Sequence, residues 1–197
     1  TSWATSRMPI SAMQPEAGRL FLVVGPSGVG KDSVLDKARV HYQNSTDVLF
    51  PKRIITRAAD AGGEVHIAVD EATFQSRAAA GDFVLSWHAH GYHYGISKDI
   101  CADIDAGRDV VINVSRTVIT TAQTRFSHVT VIAITAKPEI IAARLQQRGR
   151  ETGAEIAKRI ERATLSLPSG VDVQSINNSR TFEDALAAFC AIISKPA

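Results

Sequence analysis

The stretch Leu20-Phe21-Leu22-Val23-Val24-Gly25-Pro26-Ser27-Gly28-Val29-Gly30-Lys31-Asp32-Ser33 changes character twice within one short run. Leu20 to Val24 is unbroken apolar sequence, which suits a strand buried on both faces, as in a parallel sheet. The run stops at a glycine-rich turn, Gly25 to Gly30. From Lys31 the apolar positions Val34, Leu35 and Ala38 recur at helical spacing. The order is therefore strand, glycine turn, helix.

Gly25 to Lys31 matches the P-loop pattern up to its lysine, and the flanking strand and helix supply the context that the pattern needs. Glycines let the chain curl so that backbone N–H groups converge on phosphate oxygens. The helix that follows directs its positive end at the same anion. Lys31 supplies a point charge for the β- and γ-phosphates of ATP. The expected nucleotide contacts are thus Gly25, Pro26, Ser27, Gly28, Val29, Gly30, Lys31, Asp32 and Ser33. The pattern calls for Ser or Thr directly after the lysine, to bind Mg²⁺; here Asp32 holds that place and Ser33 follows. An aspartate there binds magnesium directly or through water, or repels the phosphates until a metal offsets its charge, or is a tolerated helix-start substitution. Asp32 and Ser33 are the candidate metal contacts.

Working outward, Val110 to Val114, Val129 to Ile134 and Val173 to Ile176 read as further strands. Helices are expected over 116–126, from Pro138 through Leu145, over 154–165 and over 182–193. Strands alternating with helices predict an α/β fold, a parallel sheet flanked by helices. Residues 52–95 differ: short alternating stretches such as His66-Ile67-Ala68-Val69 predict a small, partly antiparallel insertion. Arg148-Gly149-Arg150-Glu151-Thr152-Gly153, charged and glycine-bearing between two helices, predicts a mobile lid. The expected organisation is a disordered lead (1–17) and one domain (18–197). Its core would be 18–50 and 97–197, its acceptor-binding insertion about 51–96 and its lid about 146–158.

The chain has 197 residues, 45% hydrophobic and 21% charged, with a formal net charge of +2, ordinary values for one soluble globular domain. The arginines are scattered rather than striped among aromatics, which suits separate anion contacts and counts against nucleic acid. Cys101 and Cys190 have no pairing or metal-ligand spacing. No stretch is long and apolar enough to span a bilayer and 1–17 has no signal-length apolar run, so a cytoplasmic location is expected.

Beyond the P-loop, Arg53-Ile54-Ile55-Thr56-Arg57, Gly63-Glu64, Phe74, Gly81-Asp82-Phe83 and Tyr94-Gly95 follow the order seen in guanylate kinases. So do Arg144-Leu145, Arg148-Gly149 and Asn177-Asn178. The chain resembles that family from about Arg19 to its end. The base-reading positions depart from it. Phe83-Val84-Leu85 stands where the family has Phe-Leu-Glu, Ile96 replaces a Thr or Ser, and Asn113-Val114-Ser115-Arg116 replaces the acidic Asp-Ile-Asp strand end. A site stripped of buried hydrogen-bond partners loses its base. With Asp32-Ser33, Glu64 to Ala68, Leu85-Ser86-Trp87-His88-Ala89, Asn113 to Arg116 and Arg148 to Glu151, the ordered set resembles the ribose 1,5-bisphosphate phosphokinase family. That resemblance implies ATP-dependent phosphorylation of the 1-phosphate of a sugar bisphosphate, giving 5-phosphoribosyl diphosphate, in bacterial phosphonate breakdown.

The resemblance also implies site roles. Arg53, Arg57 and Tyr94 would hold the acceptor's phosphate, Asn177 would lie at the adenine side, and lid arginines would hold the ATP phosphates. Lys31, Asp32, Arg148 and Arg159 form the expected catalytic set. Arg116 joins the substrate candidates because a guanidinium fork matches phosphate oxygens. Glu64 and Asn113 are candidate partners for ribose hydroxyls or metal-bound water. His66 and His88 lie inside the motifs and have the better claim among the histidines to a substrate contact. Arg144 is read either as a phosphate contact or as a solvated helix face, and Trp87 as core or pocket wall. Two other readings stay open here: a guanylate kinase with altered base contacts, and a non-catalytic interaction module. The intact Gly28, Gly30 and Lys31 count against the second.

Overall fold

The computed structural model describes residues 16–26, 28–60, 64–148 and 167–194. The expected lead, Ser27, the helix over 154–165, Arg159 and most of the expected lid lie outside the described residues, as does the side chain of Arg148.

β1 (Leu20–Val24) is buried at every position and lies at the centre of a parallel sheet. Its neighbours are β7 (Asp109–Asn113) on one side and β8 (Val129–Thr135) on the other. β2 (Val48–Leu49) extends the sheet beyond β7, and β9 (Asp172–Asn177) extends it beyond β8. Period-two geometry sends alternate residues to opposite faces. Leu20, Leu22, Val24, Val110, Ile112 and Val131 pack against α3 (Ile100–Asp105) and α4 (Ile119–Arg125) through Ile100, Ile104, Ile119 and Ala122. Phe21, Val23, Val111, Ile132 and Ile134 pack against α1 (Lys31–His41) and α6 (Phe182–Ile193) through Val34, Leu35, Ala38, Phe189 and Ile193. The continuous apolar runs of the sequence are thus strands covered on both sides. The helix expected over 116–126 begins instead as a 3₁₀ turn, Arg116–Val118, because Ser115 caps it through Thr117 N, and only then becomes α4.

A second, mixed sheet carries β4 (Ile67–Ala68), β3 (Ile54–Ile55), β6 (Tyr92–Ser97) and β5 (Phe83–Ala89), in that order. β3 with β6 and β6 with β5 are antiparallel, whereas β3 with β4 is parallel. α2 (Glu71–Ala79) packs Phe74 on Phe83, with Asp70 as its N-cap. The sheets meet through Val84, Leu85 and Ile96, which join the core cluster of β1 and β7. α5 (Pro138–Arg148) starts with proline in its first turn and buries Ile141 and Leu145. Cys101 and Cys190 are half-buried free thiols, and burial pushes both pKa values up. Among the described residues, no helix is long and apolar enough to cross a membrane.

Candidate active site

The carboxyl ends of β1 and β7 open into a cleft of about 470 Å³, lined on one side by Gly25, Pro26, Gly28, Gly30, Lys31 and Asp32. Its other side carries Arg53, Arg57, Trp87, Tyr94, Asn113 and Arg116. Open parallel sheets place their ligand sites at this edge.

The loop side is shaped by glycine. Gly28 and Gly30 both have φ 86°, a conformation that side chains rarely adopt. A Cβ on Gly30 would lie 2.5 Å from Asn178 Nδ2, and one on Gly28 would lie 2.9 Å from Leu145 Cγ. The loop is clamped from behind. The Val29 carbonyl accepts hydrogen bonds from Asn178 Nδ2 (2.7 Å) and Arg144 Nη1 (3.1 Å), and Arg144 Nη2 donates to the Asn178 carbonyl at 3.1 Å. Val29 itself is buried in the core. Lys31 Nζ lies 3.9 Å from Asp32 Oδ1.

The opposite wall comes from the second sheet and the end of β7. The β5–β6 register sets Trp87 opposite Tyr94, and Arg53, the residue just before β3, reaches the same face at the Tyr94 ring. Trp87 and Tyr94 stack with ring centroids 5.1 Å apart and planes at 5°, and the Arg53 guanidinium lies 5.5 Å from the Tyr94 ring. Arg53 Nη2 is held by Glu64 Oε2 at 2.9 Å, while Arg39 of α1 holds Glu64 Oε1. Asn113 Nδ2 donates to Glu64 Oε2 at 2.7 Å and to Asp32 Oδ1 at 3.3 Å. Arg53 Nε and Arg57 Nε are buried and meet no acceptor among the described residues.

Several expected contacts take other places. The Glu64 side chain is 1% exposed, and Arg39, Arg53 and Asn113 occupy its oxygens, so it builds the wall rather than facing the cleft. His66 is also buried: Nδ1 lies 3.0 Å from the Glu64 carbonyl and Nε2 3.0 Å from the Arg57 carbonyl, so the ring staples the segment that carries Arg57. His88 is exposed with its ring against His93, and His90, at the β5–β6 turn with φ 52°, is the histidine that lines the cleft. Ser33 is exposed and absent from the lining. Asn177 is exposed and accepts from Ser179 N at 3.0 Å, a turn role. Its neighbour Asn178, 0% exposed, is the residue that reaches the loop. Arg144 is neither a solvated face nor a lining group; it braces the loop's outer side. Leu85, 1% exposed, is drawn into the core between the sheets. Asn178 was within reach of the sequence reading, since an asparagine just past a buried strand is well placed to satisfy a loop carbonyl. Nothing local marked Arg39.

The arrangement fits a polyphosphate with a divalent cation. A Cβ would fill the glycine cradle, the far wall supplies buried guanidinium donors, and Asp32 stands beside Lys31. Mg²⁺ takes few protein carboxylates when phosphates supply the remaining oxygens, so one aspartate suits it.

The family model for guanylate kinase matches residues 17–195. The ribose 1,5-bisphosphate phosphokinase of Acidiphilium cryptum is 49% identical over 179 residues, spanning 91% of this chain and 94% of that protein. That of Ruegeria sp. is 43% identical, spanning 91% and 93%. The bifunctional ribose 1,5-bisphosphokinase-thymidine phosphorylase of Roseobacter denitrificans is 44% identical over 90% of this chain, which spans only 26% of that longer protein. Among solved structures, guanylate kinase from Anaplasma phagocytophilum matches with a TM-score of 0.65 at 19% identity, covering 92% of this chain and 87% of that one, a likeness of fold.

Proposed function

The chain belongs to the guanylate kinase family and, within it, to the ribose 1,5-bisphosphate phosphokinases, and on that premise we propose that it transfers the γ-phosphoryl group of ATP to the 1-phosphate of ribose 1,5-bisphosphate, with Mg²⁺. The products are ADP and 5-phosphoribosyl diphosphate. The observation that carries this reading is the acceptor wall. Arg53, Arg57 and Arg116 share one cleft with the P-loop, while Leu85 is withdrawn into the core and Glu64 is consumed by its own partners. Among the described residues, the wall therefore offers donors for phosphate and no free carboxylate to read a guanine edge.

Transfer forms a bond from an acceptor phosphate oxygen to Pγ and breaks the bond from Pγ to the bridging β-phosphate oxygen. The acceptor oxygen is already anionic near neutral pH, so no general base is required. The protein's work is positioning and charge stabilisation. Backbone N–H groups from Gly28 to Lys31 and the Lys31 ammonium hold the β- and γ-phosphates. Asp32 would hold Mg²⁺, which would supply charge neutralisation at those phosphates. Arg148 and Arg159, which the resemblance implies as catalytic, would add further positive charge. Arg53, Arg57, Arg116 and Tyr94 hold the two phosphates of the acceptor, with the Trp87–Tyr94 stack as the wall against the sugar. The substrate is a small molecule, and the cytoplasm is the proposed location.

ADP release with ATP and Mg²⁺, comparing ribose 1,5-bisphosphate with GMP, tests the proposal. Turnover with the sugar bisphosphate and none with GMP is expected. Turnover with GMP alone would overturn it and make the chain a guanylate kinase; no turnover with either would favour a non-catalytic module.

A further inference from the structure

In P-loop kinases of this shape, magnesium is held by the Ser or Thr after the P-loop lysine and by an aspartate at the end of a neighbouring strand. This chain departs from the pattern at both places. Asp32 follows the lysine, and Asn113, the last residue of β7, stands at the strand end where that aspartate would lie. The parallel register pairs Asn113 with Val23, beside the residue that leads into the loop. The two departures touch: Asn113 Nδ2 donates to Asp32 Oδ1 at 3.3 Å. We infer that Asp32 and Asn113 are an exchanged pair, in which the metal-binding carboxylate has moved from the strand end to the first turn of α1 and the strand end has become the donor that aims it.

An amide is the group this position requires. The NH₂ of Asn113 has two hydrogens, and both are used, one on Asp32 and one on Glu64 Oε2 at 2.7 Å. Asn113 is 5% exposed and Glu64 3% exposed, so the bond between them is buried, whereas the Asp32 carboxylate, its side chain 43% exposed, opens to the cleft. A buried aspartate at this position would set its charge directly against the buried Glu64 carboxylate, and beside Asp32 as well, at an electrostatic cost. A hydroxyl after the lysine would in turn leave Asn113 without one of its two carboxylate acceptors and the metal without its acid. Each substitution is tolerable only with the other. Asn113 is a positioning residue: it acts through Asp32, and Glu64 fixes its orientation, so the network that anchors Arg53 also sets the metal side.

This inference rests on the chain being a P-loop kinase and not on the identity of its acceptor. The test is titration of the full chain with Mn²⁺ in the presence of ADP and no acceptor, read by electron paramagnetic resonance, for wild type, Asp32→Ser, Asn113→Asp and the double variant. Each single variant is expected to weaken Mn²⁺ affinity about tenfold or more, in the range seen when groups that orient metal ligands are lost. The double variant is expected to recover to within about threefold of wild type, a coupling far outside additivity. Unchanged affinity in Asp32→Ser, or a double variant no tighter than the product of the single losses, overturns the exchange. Should Asn113→Asp fail to fold, Asn113→Leu removes both donors without adding charge: a clear loss of Mn²⁺ affinity supports the positioning role, and unchanged affinity overturns it. Failure of the acceptor assignment would appear only in the ADP-release assay with GMP, so the two ideas fail separately.

Discussion

The loop wall of the cleft draws Gly25, Pro26, Gly28, Gly30, Lys31 and Asp32 from one short stretch, whereas the facing wall draws Arg53, Arg57, Trp87, Tyr94, Asn113 and Arg116 from separate stretches of chain. The loop wall binds with backbone groups whose directions follow from local conformation, and its tertiary support is a small clamp on one carbonyl, from Asn178 and Arg144. The facing wall binds with side chains. It needs a buried carboxylate, Glu64, to gather donors from α1, the residue before β3 and the end of β7. The difference teaches where each wall is vulnerable: one to changes in its own backbone, the other to removal of a residue that touches no substrate.

The largest expected effect is at that hidden residue. Glu64→Ala leaves Arg39, Arg53 and Asn113 facing a void, and breaking a buried charged cluster by removing one partner costs about 3–5 kcal/mol of stability. Urea denaturation measures it; a loss under 1 kcal/mol would mean the wall does not depend on Glu64. Next comes Lys31→Ala, which removes a preorganised charge and is expected to lower kcat/KM about 100- to 1,000-fold with little change in stability. Asn178→Ala should then cost about 2 kcal/mol, within the range for a buried hydrogen-bonded group, and raise the KM for ATP more than that for the acceptor. An equal rise in both would show that the clamp supports the whole cleft instead of one wall. The smallest effect is Arg57→Lys: the charge stays but the fork is lost, so the acceptor KM should rise about tenfold while the KM for ATP holds. A change in the ATP constant alone would move Arg57 to the other wall.

Much of the fold was legible. The Leu20–Val24 run, the glycine turn and the spacing of Val34, Leu35 and Ala38 specify β1, the loop and α1 through contacts within a few residues. Two short helices escaped the reading, α2 and α3, because each buries only one or two apolar side chains and leaves little periodicity. The site was legible unevenly. Lys31, Asp32, Arg53, Arg57, Tyr94, Asn113 and Arg116 do gather in one cleft. Glu64, His66 and His88 do not line it, because a motif marks which residues recur together and not which way their side chains face.

By itself the sequence determined the parallel sheet, the phosphate cradle and the missing guanine partners, since these follow from local hydrophobic pattern, glycine placement and the chemistry of single side chains. Tertiary structure decided that Leu85 is core, that Asn178 rather than Asn177 grips the loop, and that Asn113 joins Asp32 to Glu64. These are contacts between residues far apart in the chain. Which buried donor meets which buried acceptor depends on strand register and helix packing, and no local propensity encodes that pairing.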